Sequence, residues 1–251
     1  MESVVGWPWT HSACILTISV ISFFSFQWLF HWLSPWVSSR ISSSFLSLSD
    51  KQKVEWNSRT VSTFHALLVG IFCLYILFFD DPVNEDPVWG DPTLVKTNVA
   101  ITTGYLISDL LLIFYYWKAI GDKFFVVHHL AALYAYYYVL GLGMLPYFAN
   151  FRLLAEFSTP CVNQRWFFEQ SFFFVRIAVM PVYYIRMYMV YGTEAFYLVP
   201  WGGRVAWIGS SICLDIMNVM WMHKIARGCY RVLRSAQRSK AGAPRENGKT
   251  D

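Results

Sequence analysis

The stretch Val126–Trp166, VVHHLAALYAYYYVLGLGMLPYFANFRLLAEFSTPCVNQRW, decides how the chain must be read. It is apolar enough to lie in a bilayer, yet it carries His128, His129, Asn150, Arg152, Glu156, Asn163 and Arg165. An Arg or Asp at the centre of a membrane helix costs about 2.5–3.5 kcal/mol on the insertion scale. Such groups persist where they face a protein interior or a water-filled cavity. The stretch therefore marks the place to look for function, and the rest of the chain reads as the bundle that shields it.

Outward from that stretch, the 251 residues are 56% hydrophobic and only 14% charged. A soluble domain of this length would carry nearer 25% charge. Several apolar runs reach the roughly 20 residues needed to cross a hydrocarbon core of about 30 Å. These runs are continuous, not the short alternating segments of a β-barrel. The fold class predicted is all-α: a polytopic membrane helix bundle of about seven transmembrane helices around a polar-lined cavity. The five cysteines are scattered, in neither a disulfide framework nor zinc-ligand spacing. The N-terminal apolar run is long and lacks a basic n-region, so it reads as a retained span.

In order, the predicted spans are Ala13–Leu33, Thr60–Phe79, Thr97–Trp117, Phe124–Leu142, Tyr147–Phe168, Ser171–Tyr191 and Arg204–Ile225. A Ser-rich connector, Ser34–Ser49, follows the first span. The loop Asp80–Pro92 holds five acids, three prolines and no base. Basic residues alternate between loops: Arg40, Lys51, Lys53 and Arg59, then Lys118 and Lys123, then Arg165 at the end of the fifth span, then the tail from Arg227. The positive-inside rule puts the C-terminus in the cytosol and the N-terminus in the lumen or outside. The tail, expected to be disordered past Ser239, reads as an anchor to anionic lipid heads and not as a nucleic-acid arm. Within it, Cys229 is a candidate palmitoylation position.

In the fifth span, Arg152, Glu156, Thr159 and Asn163 are spaced four, three and four apart, which makes one helical stripe. Arg152 and Glu156 can pair at i,i+4. A structural ion pair and a polar wall facing a lipid or acyl pocket both fit this stripe. His128 and His129 open the fourth span. Adjacent helical residues point about 100° apart, so the two cannot chelate one metal from a regular helix, and no metal site is expected. One imidazole can face inward as base or nucleophile with the other as its support; packing and interface roles are the alternative. Asp109, Glu156 and Asp215 fall at comparable depth, with Asn218 one turn beyond Asp215, and Arg176 can neutralise one of the acids. Together these groups suggest a shared polar cavity. Phosphate loops, Ser nucleophile elbows and HExxH motifs do not occur. A transporter reading, supported only by Pro160 and Pro181, lacks inverted repeats and paired broken helices.

The paired His128-His129, the step Asn150-Phe151-Arg152, the intramembrane Glu156 and the segment Asp215-Ile-Met-Asn218 resemble the TLC domain family. That family includes translocon-associated membrane proteins and ceramide synthases. The resemblance covers nearly the whole chain before the tail. It implies a helical bundle enclosing a lipid-sized cavity and a role in membrane lipid homeostasis, in the endoplasmic reticulum or another endomembrane. It divides the chain into an N-terminal span and connector (1–49), a TLC domain (50–226) and a basic cytosolic tail (227–251). It also implies a catalytic role for the His pair. The family's ceramide synthases carry a second acid where this chain has Thr159. Two functions follow: a lipid-binding protein that adjusts membrane lipid composition, or a lipid acyltransferase. No cofactor is expected, although the second reading needs acyl-CoA as co-substrate. Membrane lipids are the expected partners. The resemblance further implies a longer connector than the Glu169-Gln170-Ser171 present before Phe172.

Overall fold

In the computed structural model, which describes residues 9–164 and 173–242, the apolar runs are helices, and no strand occurs among the described residues. The first run is α1 (Trp9–Trp28), a π-helical turn (Leu29–Leu33) and α2 (Ser34–Ile41). Then come α3 (Asp50–Phe79), α4 (Thr93–Tyr115) and α5 (Lys123–Leu142). The next segment is α6 (Pro146–Leu153), a 3-10 turn (Leu154–Phe157) and α7 (Ser158–Gln164). A second π turn (Phe173–Ile177), α8 (Met180–Val190) and α9 (Trp201–Gly242) complete the bundle. Six helical stretches among the described residues are long and apolar enough to cross a bilayer.

Local chemistry sets the boundaries. Ser49 and Gln52 cap the start of α3 reciprocally, side chain to backbone in both directions. Asp122 caps α5 by accepting from the Phe124 amide at 2.7 Å. At its other end α5 stops at Gly143, whose φ of 71° is the left-handed conformation that glycine adopts without strain. Leu145, two residues on, also has a positive φ of 61°, which costs a branched residue about 1–2 kcal/mol. Burial of its side chain and a 2.7 Å bond from its amide to the Val88 carbonyl hold it there.

The tightest helix pair is α1 against α4. Ala100, Gly104 and Ser108 stand four apart on α4, a stripe of small residues that lets two backbones approach. A Cβ at Gly104 would lie 2.4 Å from the Ser19 carbonyl oxygen. Ser22 Oγ donates to the Ile101 carbonyl at 2.6 Å, and Gln27 Nε2 donates to Ser108 Oγ at 3.1 Å. α3 is tied to α6 by an exchange: Cys73 Sγ donates to the Asn150 carbonyl, and Asn150 Nδ2 donates to the Cys73 carbonyl.

Three expectations need correction. The fifth span is not one helix. Pro160 has no N–H for the Glu156 carbonyl, so the chain tightens into a 3-10 turn before continuing as α7. Its last expected residues, Arg165–Phe168, and the connector at Glu169–Ser171 lie outside the described residues. The Ser-rich connector is largely helical, because its serines bond to α3: Ser34 Oγ donates to Asn57 Oδ1 at 2.9 Å, and Trp56 Nε1 donates to Ser38 Oγ at 2.9 Å. The tail continues α9 as helix through Gly242, beyond Ser239, because Ala236, Gln237, Arg238 and Lys240 are good helix formers.

Candidate functional site

A cavity of about 540 Å³ lies between α3, α4, α5, the 3-10 turn with α7, and α9. Its size falls in the range of small-molecule sites. Leu106, Ile113, Ile120, Phe125, Trp221 and Ile225 give it apolar walls. Exposed Lys224 and the partly exposed pair Glu55–Arg59, joined at 3.0 Å, border its outer end.

Asp109 of α4 and His129 of α5 meet on the wall, with Asp109 Oδ2 3.2 Å from His129 Nε2. Both side chains are largely buried. The other ring nitrogen, Nδ1, sits 2.6 Å from the Phe125 carbonyl oxygen one turn back. A carbonyl only accepts, so Nδ1 carries a hydrogen, and one further proton closes the contact between Nε2 and the carboxylate. His129 therefore has no lone pair free for chemistry while paired. His128 lines the same cavity with its ring 79° from that of His129, packed on Trp221 at 5.4 Å. Its Nδ1 is buried without a hydrogen-bond partner. The two rings thus differ in role: one is locked by an acid, the other carries an unused nitrogen.

The opposite wall comes from irregular backbone. Glu156 projects from the 3-10 turn and accepts from Thr159 Oγ1 at 3.2 Å. Arg176 projects from the second π turn, is buried, and donates to Ser158 Oγ at 2.7 Å and Asn218 Oδ1 at 3.1 Å. Asn163 ties α7 to α3, donating to the Arg59 carbonyl, Ser62 Oγ and Thr63 Oγ1 at 2.8–3.0 Å. Asp109, His128, His129, Glu156, Thr159, Asn163 and Arg176 all border this one space.

Arg152, Asp215 and Asn218 do not line it. The helical phase expected to pair Arg152 with Glu156 is lost at the 3-10 turn between them. Arg152 instead makes a two-pronged bond to Asp215 of α9, at 2.5 and 3.0 Å. Tyr184 also donates to Asp215, at 2.7 Å, and the Arg152 guanidinium lies over the Tyr183 ring at 4.0 Å. Arg152 borders a separate pocket of about 40 Å³ beside Phe148, Tyr183 and Trp207. Asn218 acts behind the wall, as the partner of Arg176.

Residue chemistry alone leaves out Tyr105 and Trp221 on the wall and Lys224 at the outer end. Tyr105 stands four residues before Asp109 on α4, so helical spacing from that acid is the signal that finds it.

The comparisons agree with this architecture. The profile described as TLC domain matches residues 55–227. The chain is 63% identical to TLC domain-containing protein 4-B of Xenopus laevis, over 86% of this chain and 90% of that protein. It is 50% identical to TLC domain-containing protein 4 of Homo sapiens, over 96% of this chain and 99% of that protein. Identity to TLC domain-containing protein 4-B of Danio rerio is 54%, over 84% and 88% of the two chains. No solved structure matches the chain. A helical bundle with these relatives and this match over most of its length belongs to the TLC domain family.

Proposed function

We propose that this multi-pass membrane protein binds a lipid in the 540 Å³ cavity and thereby adjusts membrane lipid composition. The observation that carries the reading is the mixed lining of the cavity: apolar side chains, with Asp109, His129, His128, Glu156 and Arg176 bordering the same space. An acyl chain fits the first and a polar lipid head the second. The protein works in the endoplasmic reticulum or another endomembrane, with its C-terminus cytosolic. There exposed Arg227, Arg231 and Arg234, spaced four and three apart on α9, meet anionic lipid heads. Two measurements test the reading. Native mass spectrometry of the purified protein should show a retained lipid, and deletion should change phospholipid or sphingolipid acyl composition. An empty protein together with an unchanged lipidome would refute it.

A second reading, an acyl-CoA-dependent lipid acyltransferase, is favoured by the unequal histidines. With His129 closed against Asp109, His128, which lines the same cavity, is the imidazole left to take a proton from a hydroxyl or amine acceptor as it attacks the thioester carbonyl, and to return that proton to the CoA thiolate as the C–S bond breaks. Purified protein with labelled acyl-CoA and a panel of amine and hydroxyl acceptors decides this. Turnover abolished by His128→Ala supports it; no turnover, or turnover indifferent to His128→Ala, removes it.

A further inference from the structure

Behind the cavity wall lies a third histidine, one that the site chemistry leaves unused. His65 of α3 is 1% exposed, and neither ring nitrogen has a hydrogen-bond partner. Such a ring is a poor core filler, because burying unpaired polar atoms costs free energy that a phenyl or leucine side chain would not. Its ring lies nearly parallel to that of Tyr105, 14° between planes, with centroids 3.8 Å apart. The Phe26 ring closes the back edgewise, 5.6 Å from His65 and 5.1 Å from Tyr105. Two phenyl rings avoid such a face-to-face stack; the imidazole accommodates it and so holds the phenol plane.

Tyr105 lines the cavity, and its hydroxyl makes no hydrogen bond with any described residue and is not sealed off from the cavity. It shares a helix face with Asp109, one turn away. The nearby carboxylates are engaged, Asp109 by His129 and Glu156 by Thr159. The hydroxyl is thus a donor left for whatever enters. A group that accepts from it, beside an acyl chain lying along Leu106 and Ile113, is the carbonyl of an ester or amide.

We propose that Tyr105 and His65 form a recognition unit for lipid carbonyls: the Tyr105 hydroxyl donates to the ester or amide carbonyl of the bound lipid, and His65 positions the phenol from behind. This rests on the lipid-binding reading and adds to it the class of group that is read. The test uses the full chain in detergent with two fluorescent probes, a 1-acylglycerol and its 1-alkyl ether analogue, which lacks the carbonyl. Wild type should prefer the ester by about fivefold, the worth of one net hydrogen bond. Tyr105→Phe should abolish that preference by weakening ester binding alone, with ether binding unchanged. His65→Ala should also erase the preference, although the hydroxyl remains. A Tyr105→Phe protein that keeps the wild-type ester-to-ether ratio, including one that weakens both probes equally, overturns the proposal while leaving lipid binding intact. Wild type that binds neither probe instead overturns the lipid reading on which it rests.

Discussion

Asp215→Asn is the change that most directly tests how the bundle manages its buried charge. Arg152 and Asp215 join α6 to α9 through two parallel bonds, with side chains only 17% and 10% exposed. Replacing the carboxylate leaves a guanidinium that has few other partners, since its Nε is already buried and unbonded. Breaking a buried pair by removing one member costs about 3–5 kcal/mol, because the remaining charge is stranded. Asparagine keeps one accepting oxygen for Arg152 or Tyr184, so the low end, about 3 kcal/mol, is expected. For a chain of this size that is on the order of 10 °C in melting temperature. Replacing both partners, Arg152→Met with Asp215→Leu, strands no charge and should cost less than Asp215→Asn alone. Glu156→Gln removes a partner of Thr159, not of Arg152, and should cost about 1 kcal/mol or less. Thermal unfolding in detergent, followed by tryptophan fluorescence, ranks the three variants. A neutral Asp215→Asn, or a double variant less stable than the single one, would refute the assignment of this pair.

Two further outcomes follow from the packing and from the loop at the other end of the bundle. Gly104→Leu would drive a side chain into the Ser19 carbonyl and Ser22, and should cost about 1–3 kcal/mol and make α1 more susceptible to proteolysis; unchanged melting and protease resistance would mean that α1 does not seat on α4 this closely. Asp80, just beyond α3, has its carboxyl pushed up by burial first and then by the negative charge of Asp91. A raised carboxyl means that the folded protein disfavours the ionised form, so stability falls as pH rises through the Asp80 titration. Asp80→Asn should therefore raise the melting temperature at neutral pH, with the gain vanishing in acid; a loss at neutral pH would contradict the charge crowding at this corner.

How much of this could be read from residues alone depends on what each feature rests on. Helix existence rests on apolar length, so α4 and α5 lie close to where their runs place them, and α3 ends where its run ends, at Phe79. The wall residues were legible because an ionisable group in an apolar run has to face an interior. Which charges pair was not legible. Pairing Arg152 with Glu156 assumes an unbroken 3.6-residue phase, and the 3-10 turn removes it. The α1–α4 contact rests on Ala100, Gly104 and Ser108, whose only signal is smallness, and smallness names no partner.

The irregular backbone and the charges belong to one device. In a bilayer, a broken helix is tolerated only where protein or a cavity covers its freed groups. Pro160 stands four residues after Glu156, and its missing N–H falls at the Glu156 carbonyl. Pro181 stands four residues after Ile177, at the end of the π turn that carries Arg176. Each proline therefore breaks the helix beside an ionisable residue, and each break turns that residue toward the same 540 Å³ space. A proline four or five residues after a charge in an apolar run is thus a sequence signal for the cavity wall, and here it finds Glu156 and Arg176 together. The regular helices supply the other half of the polar wall, His128, His129 and Asp109, where uninterrupted phase is what holds the His129–Asp109 pair in place.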